Sequence, residues 1–145
     1  PAAGGNYVIE QHLGEIAEVE GLLNEAEAHY TQALKINPEL HHVRSARAVV
    51  AVQLHHFEEA RTDCNTLLSL SLKKEERIRL LFVRATALMG MRLNKEARSD
   101  LEELCLLARK SPEPQYDYKV EIEKLWEAVR ALQSDKETEG DTNTP

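Results

Sequence analysis

The sequence predicts an all-α protein in which three antiparallel helix pairs are followed by one further helix. Its composition supports this fold class, because only 5% of the 145 residues are aromatic, glycine is infrequent, and Ala, Leu and Glu are abundant. Val, Ile and Thr show none of the enrichment that strands favour. A short segment also recurs along the chain, which is typical of proteins that stack small helical units.

The recurring segment is centred on an alanine. Three stretches align so that Ala26, Ala60 and Ala97 coincide. The first two alanines are 34 residues apart and the last two are 37 residues apart. We therefore expect one 34-residue repeat to be followed by a three-residue insertion, in the loop around residues 71–75.

This register divides the chain into segments. In order, we predict a disordered leader or processing remnant (1–6), three helix pairs (about 7–40, 41–74 and 75–110), a further helix (116–133) and an acidic disordered tail (134–145). The leader is small and Gly-rich, and it is left out of the fold argument. The segment 111–114 contains two prolines, which favour the end of a helix there.

Small residues occur where paired helices would touch. Six positions form this set: Gly14, Ala26, Ala48, Ala60, Ala85 and Ala97. Two helices approach closely only where one presents Gly or Ala to the other. We therefore expect these six residues to be buried contact points, with larger side chains such as Tyr30 filling the crevices beside them.

The last predicted helix has one apolar stripe. Its apolar residues recur at three- and four-residue spacing: Ile122, Leu125, Trp126, Val129 and Leu132. The stripe fits a cap on the open face of the third pair, which stacked arrays need. It also fits a partner-binding helix anchored by Trp126.

The period and the small-residue positions resemble the tetratricopeptide repeat family. The first pair has the fullest match, with Leu13, Gly14, Gly21, Tyr30 and Pro38 at positions of the family motif. The helix after the third pair is similar to the terminal helix of immunophilin co-chaperones. The resemblance implies a right-handed superhelical stack whose first helices line a concave groove, and in this family the groove holds an extended peptide.

Within that family, segments 45–48 and 82–85 resemble the chaperone-adaptor branch. Those adaptors grip the acidic tail of seventy- and ninety-kilodalton heat-shock chaperones with Lys, Asn and Arg side chains. The corresponding positions here are Gln11, Glu15, Ala46, Arg79 and Val83. Only Arg79 keeps the required charge, and Glu15 would repel a bound carboxylate. We therefore predict that the standard carboxylate clamp is missing.

The groove is predicted to be mixed instead, with an apolar floor, acidic residues at one end and Arg79 at the other. The candidate partner-binding residues are Val8, Gln11, Glu15, Glu18, His42, Val49, Val52, Arg79, Phe82, Val83 and Met89. Such a surface suits a protein or peptide segment with hydrophobic anchors and a basic residue. The expected function is a co-chaperone or assembly adaptor that binds a chaperone or its client. The alternative is an oligomerisation or structural segment of a larger protein.

Charge and motifs argue against other function classes. The net charge is −7, and the sequence lacks the clustered Lys and Arg of a nucleic-acid surface. No apolar run is long enough for a membrane span. We therefore expect a cytoplasmic protein, and we expect it to be a monomer. No nucleophile–base pair, phosphate loop or carboxylate pair indicates an enzyme, and no cofactor is predicted. Cys64 and Cys105 are predicted to be reduced thiols. The histidine doublets at 41–42 and 55–56 are predicted to be solvated turn residues, not metal ligands.

Overall fold

The computed structural model describes residues 6–109 and positions 124 and 127. Residues 6–109 contain six helices and no strand: α1 (Tyr7–Val19), α2 (Leu23–Ile36), α3 (His41–Gln53), α4 (Phe57–Leu68), α5 (Lys74–Gly90) and α6 (Asn94–Arg109). This confirms the predicted all-α class. The predicted tail and most of the predicted leader and last helix lie outside the described residues.

The chain divides into two compact units, Pro1–Leu72 and Lys73–Pro145. In the first unit α1 packs against α2, α2 against α3 and α3 against α4. In the second unit α5 packs against α6. Within each unit, every helix therefore contacts the helix next to it along the chain, as antiparallel pairs joined by short turns do.

Helix α1 begins at Tyr7, directly after the predicted leader, and its N-cap is Asn6. The side chain of Asn6 accepts a hydrogen bond from the backbone N–H of Val8 at 2.8 Å. Asn6 is extended, with φ of −110° and ψ of 119°, as an N-cap residue should be. The cap satisfies one of the free N–H groups at the start of the helix, so Asn6 belongs to the folded unit and not to the leader.

The first helix of every pair ends in the same turn. Gly21, His55 and Arg92 each adopt a left-handed backbone, with φ of 79°, 63° and 61°. In each turn, the N–H of the next residue bonds to a carbonyl five residues back, at 2.8, 2.8 and 2.9 Å. These are Schellman motifs, which favour glycine because side chains are strained in this conformation. Only the first turn has glycine.

The predicted insertion lengthens a helix and not a loop. Helix α5 has 17 residues, whereas α1 and α3 have 13 each. Its first turn, 74–77, precedes the position at which α1 and α3 begin in the repeat register. Two glutamates, Glu75 and Glu76, lie in this turn, where the positive end of the helix dipole stabilises negative charge. The extra residues therefore extend the helix at its N-terminus.

The six predicted contact points are buried. The five alanines are 0% exposed, and Gly14 is buried beside the ring of Tyr30. A Cβ atom on Gly14 would lie 2.5 Å from Cε1 of Tyr30, which is closer than real Cβ atoms come. Because Tyr30 is itself only 1% exposed, its ring has little room to move away. Glycine at position 14 is thus a packing requirement.

Each unit has its own core. The first-unit core joins α1, α2 and α3 through Ala17, Ala26, Tyr30, Ala33, Leu34, Val43 and Val50. The second-unit core contains Ala85 of α5 and Leu101 of α6. Burying an aliphatic or aromatic side chain in this way contributes about 1.5–3 kcal/mol. These cores fix which faces of α1, α3 and α5 remain available to a partner.

Candidate functional site

One side of α1 carries three of the predicted groove residues. Val8, Gln11 and Glu15 are separated by three and four residues, so they follow one another along the same helix face. Val8 and Glu15 are exposed and Gln11 is half-buried. This arrangement gives an accessible strip with an apolar end and an acidic end.

Glu15 is the centre of a small polar cluster on that strip. The Nε2 atom of Gln11 donates a hydrogen bond to Oε1 of Glu15 at 3.0 Å, and Nδ1 of His12 lies 3.2 Å from Oε2. The bond from Gln11 is the main cause that lowers the pKa of Glu15, partial burial opposes it, and His12 and the charge of His42 lower it further. The side chain is therefore a carboxylate at neutral pH, and the effect of His42 brings α3 into the same cluster.

Glu18, one turn further along α1, has an internal partner. The hydroxyl of Tyr30 donates a hydrogen bond to Oε2 of Glu18 at 2.6 Å. Burial and this bond both raise the pKa of Tyr30, so the phenol stays protonated and remains a donor. Glu18 is half-buried and ties α1 to α2. Of the two predicted acidic groove residues, Glu15 is the more accessible.

Helix α3 contributes one polar and two apolar candidates. His42 is exposed at the start of the helix, and Val49 and Val52 are half-buried nearer its end. Ala46, which stands at a predicted clamp position, is half-buried and packs against the first-unit core. Its methyl group offers no hydrogen bond to a ligand. Among the predicted groove residues of the first unit, Gln11, Glu15 and His42 are therefore the polar ones most accessible to a partner.

The predicted groove residues of the second unit differ in how much of their surface is exposed. Arg79 is exposed near the start of α5. Phe82 and Met89 are half-buried and pack against the second-unit core, so each serves packing and retains some surface. Val83 is only 8% exposed and has little surface to offer a partner.

Several solved structures are similar to this chain in fold. The chain is 21% identical to the TPR2B domain of yeast Sti1 in its complex with an Hsp70 peptide, with a TM-score of 0.71 over 86% of this chain and 96% of that chain. It is 23% identical to the Arabidopsis OM64 TPR domain, with a TM-score of 0.66 over 88% and 94%. It is 21% identical to the first TPR domain of Spaghetti (RPAP3), bound to the HSP90 peptide SRMEEVD, with a TM-score of 0.67 over 86% of this chain and 93% of that chain.

The chain has a tetratricopeptide-type fold. At these identities the comparisons establish the fold alone. No protein-family model and no curated protein sequence matches the chain. The resemblance inferred from the 34-residue period and the small-residue positions is thus confirmed at the level of the fold.

Sequence reasoning missed the ion pairs inside the tetratricopeptide repeats. Arg47 donates two hydrogen bonds to Asp63, from Nε at 2.8 Å and from Nη2 at 2.6 Å. Arg84 and Asp100 make the same two bonds at the same distances. Both aspartates are buried. The sequence contained a signal for these ion pairs, because 16 residues separate the arginine from the aspartate in both repeats.

Two histidines of the turns also have partners. His55 stacks on Phe57, with ring centroids 5.4 Å apart. His56 places Nδ1 2.9 Å from Oε2 of Glu27, which links the start of α4 to α2. The His56 side chain keeps 43% of its surface exposed, so this contact does not contradict the predicted solvated-turn position. Among the described residues, no group of three or more His, Cys, Asp or Glu side chains is placed to hold a metal ion.

None of the described helices is both long enough and apolar enough to cross a membrane. Cys64 is buried and Cys105 is half-buried, and neither forms a disulfide bond among the described residues. The reduced state of both thiols stays a prediction.

Proposed function

We propose that this chain is a protein-interaction module that binds an extended partner segment along the groove face of its tetratricopeptide helices. Two structures with the same fold support the proposal, because the TPR2B domain of yeast Sti1 holds an Hsp70 peptide and the first TPR domain of Spaghetti holds the HSP90 peptide SRMEEVD. In this chain the accessible strip of Val8, Gln11 and Glu15 offers the corresponding kind of surface.

The carboxylate of Glu15 decides which segment the module accepts. It is exposed, ionised and held by Gln11, and both residues stand at predicted clamp positions. An acidic C-terminal tail placed there would bring like charges together, which disfavours binding. A Lys or Arg side chain would instead make a charge-assisted hydrogen bond to the carboxylate, whose oxygens can accept further bonds besides those to Gln11 and His12. The module therefore lacks the standard clamp and selects a basic residue flanked by apolar anchors.

The role that fits this selectivity is a cytoplasmic co-chaperone or assembly adaptor. It works as a monomer without catalysis or cofactor, and its partner is a chaperone or a chaperone client.

A pair of peptides tests the charge selectivity. Fluorescence anisotropy would compare labelled SRMEEVD with an amidated SRMKKVK peptide, in which lysine replaces each acidic residue. We expect the chain to bind the lysine peptide at least about tenfold more tightly, because its three added lysines attract Glu15, whereas the three acidic residues of SRMEEVD repel it. The Glu15→Lys variant should reverse the preference.

A matched control separates local charge from net charge. Glu102→Lys makes the same charge change on the exposed face of α6, away from the groove positions, and should leave the preference unaltered. If the unaltered chain prefers SRMEEVD, or if Glu102→Lys acts as strongly as Glu15→Lys, the proposed selectivity is wrong. Circular dichroism of each variant would verify that its helices are intact.

A further inference from the structure

Helix α1 presents an apolar ridge to solvent on a side that the groove does not use. The ridge consists of Ile9, Leu13 and Ile16, which are 57%, 41% and 54% exposed. Their spacing of four and three residues places them in one line along the helix. Groove residues such as Gln11 and Glu15 lie on a different side of the same helix, so the ridge is a separate surface.

The equivalent face of the second repeat is packed against a neighbouring helix. The residues 34 positions further along the chain are Val43, Arg47 and Val50 of α3. Val43 is 1% exposed and Val50 is 0% exposed, because α3 packs this side against α2. Helix α1 therefore shows to water the same face with which α3 contacts its neighbouring helix.

The packing of α3 also defines the shape of a suitable occupant. In the first-unit core, Val43 and Val50 belong to the same buried cluster as Tyr30, Ala33 and Leu34 of α2. The small Ala33 admits close approach, and Tyr30 and Leu34 fill the space on either side. A helix with an aromatic, a small and an aliphatic residue in this order would fit the ridge of α1 in the same way.

Charge determines which helix of that shape can bind. Of the four glutamates on or directly after α1, Glu10 and Glu18 are bonded to α2 and Glu15 lies on the groove side, which leaves Glu20 beside the ridge. Helix α1 contains no Lys or Arg. Glu20 is exposed and continues the line of the ridge, four residues after Ile16. A second copy of α1 would bring the same glutamate and no Lys or Arg to pair with it, and like charges at an interface disfavour association. Lys and Arg beside the apolar stripe of an incoming helix would complement it.

We propose that the ridge of Ile9, Leu13 and Ile16 is a docking site for a basic amphipathic helix, which packs on α1 as α2 packs on α3. The partner supplies an apolar stripe at helical spacing and lysines or arginines beside it. This site is independent of the peptide groove, so the module can hold two segments at once, one extended and one helical.

The α2 sequence supplies the probe. A labelled peptide of residues 23–37 that carries Glu25→Lys and Glu27→Lys, bridged by a side-chain staple to hold it helical, would be titrated with the full chain by anisotropy. The same stapled peptide with both glutamates retained is the acidic counterpart. We expect saturable binding of the lysine peptide, and about tenfold weaker binding of the acidic one.

Two variants of α1 localise the binding. Ile16→Glu places a carboxylate in the middle of the ridge and should weaken the lysine peptide roughly tenfold or more, because an apolar contact is lost. Val19→Glu makes a comparable change at a residue that is 89% exposed and off the ridge, so it should leave the affinity within about twofold. The melting temperature of each variant would verify its fold.

Three results would overturn the proposal. The first is no saturable binding of the lysine peptide, or equal binding of the acidic peptide. The second is an equal loss of affinity in Ile16→Glu and Val19→Glu. The third is self-association in sedimentation equilibrium that Ile16→Glu abolishes, since the ridge would then be an interface between copies of this chain. Because the ridge and Glu15 are probed by different peptides, failure here and failure of the groove proposal can be told apart.

Discussion

The first and second helix pairs reach the same antiparallel packing by different chemistry. In the first pair, Gly14 lets the ring of Tyr30 lie against α1, and the Tyr30 hydroxyl bonds to Glu18. In the second pair, the guanidinium of Arg47 reaches from α3 to α4 and makes two hydrogen bonds with Asp63. One pair is held by an aromatic contact and the other by a buried ion pair.

The repeat therefore fixes the path of the backbone more strictly than it fixes the side-chain contacts between the helices. The motif position that holds Arg47 in the second repeat holds the exposed Leu13 in the first. A tight aromatic contact is sensitive to added volume, whereas a buried ion pair is sensitive to the loss of one charge. The two pairs should therefore respond to opposite kinds of substitution.

The largest effect is expected from loss of the charge at Asp63. The Asp63→Ala variant leaves Arg47 without its main partner and also removes the carboxylate 3.5 Å from Nη1 of Arg44. Removing one member of a buried ion pair costs about 3–5 kcal/mol in the free energy of unfolding, and we expect the lower end because Arg47 is partly exposed. Urea denaturation followed by circular dichroism would measure the loss.

Two controls define this result. Glu58→Ala removes the partner of Arg61 in an exposed ion pair on the same helix, and it should cost less than about 1 kcal/mol. The double variant Arg47→Met with Asp63→Leu should recover part of the loss, because Arg47 no longer leaves an unpaired charge, although Arg44 still lacks the carboxylate. If Asp63→Ala costs no more than Glu58→Ala, the ion pair does not hold the second pair together.

Added volume should damage the first pair. Gly14→Ala places a Cβ atom against the buried ring of Tyr30, and overpacking of this kind costs about 1–3 kcal/mol. Helix propensity alone would make the same change favourable by about 1 kcal/mol, so the predicted sign is opposite. In a Tyr30→Leu background the cost of Gly14→Ala should fall or reverse. Equal costs in the two backgrounds would contradict the proposed contact.

The three Schellman turns offer a smaller test. Arg92→Gly should stabilise the fold by up to about 1 kcal/mol, because it removes the strain of a left-handed arginine. Gly21→Ala should destabilise by a similar amount for the converse reason. His55→Gly should gain less than Arg92→Gly, since it also removes the stacking on Phe57. Thermal unfolding would rank the three variants, and a loss of stability in Arg92→Gly would refute this account.

The smallest effect concerns pH. The hydrogen bond to Glu27 is the main cause that raises the pKa of His56 above its usual value of 6.5, and the charge of Glu59 adds to it. Because the folded-state pKa is the higher one, this contribution to stability is complete below pH 6.5 and is lost as the pH rises through the raised pKa. His56 is well exposed to solvent, which keeps the effect small.

The His56→Gln variant should therefore show a flatter melting-temperature profile above pH 6.5 than the unaltered chain. Glu27→Gln should flatten the profile to the same extent, since it removes the other half of the pair. An unaltered slope in both variants would show that the link between α2 and α4 is not a charged one.

Much of the fold could be predicted from the sequence because it depends on local periodicity. The 34-residue period located the repeats, and the six small residues identified where paired helices touch. The register also identified Gln11 and Glu15 as neighbours on one helix face. The three-residue insertion was visible too, although its position in the first turn of α5 was not, because helix ends depend on capping and on neighbouring elements.

Sequence alone therefore determined the helices, their pairing and the acidic character of α1. Only the tertiary structure decided that Tyr30 engages Glu18, that Asp63 neutralises Arg47 and that the ridge of α1 remains in water while the same face of α3 is buried. The physical reason is that periodicity along one helix reveals which side is apolar or charged. What covers that side depends on residues far away in the chain, and those contacts exist only once the helices have packed.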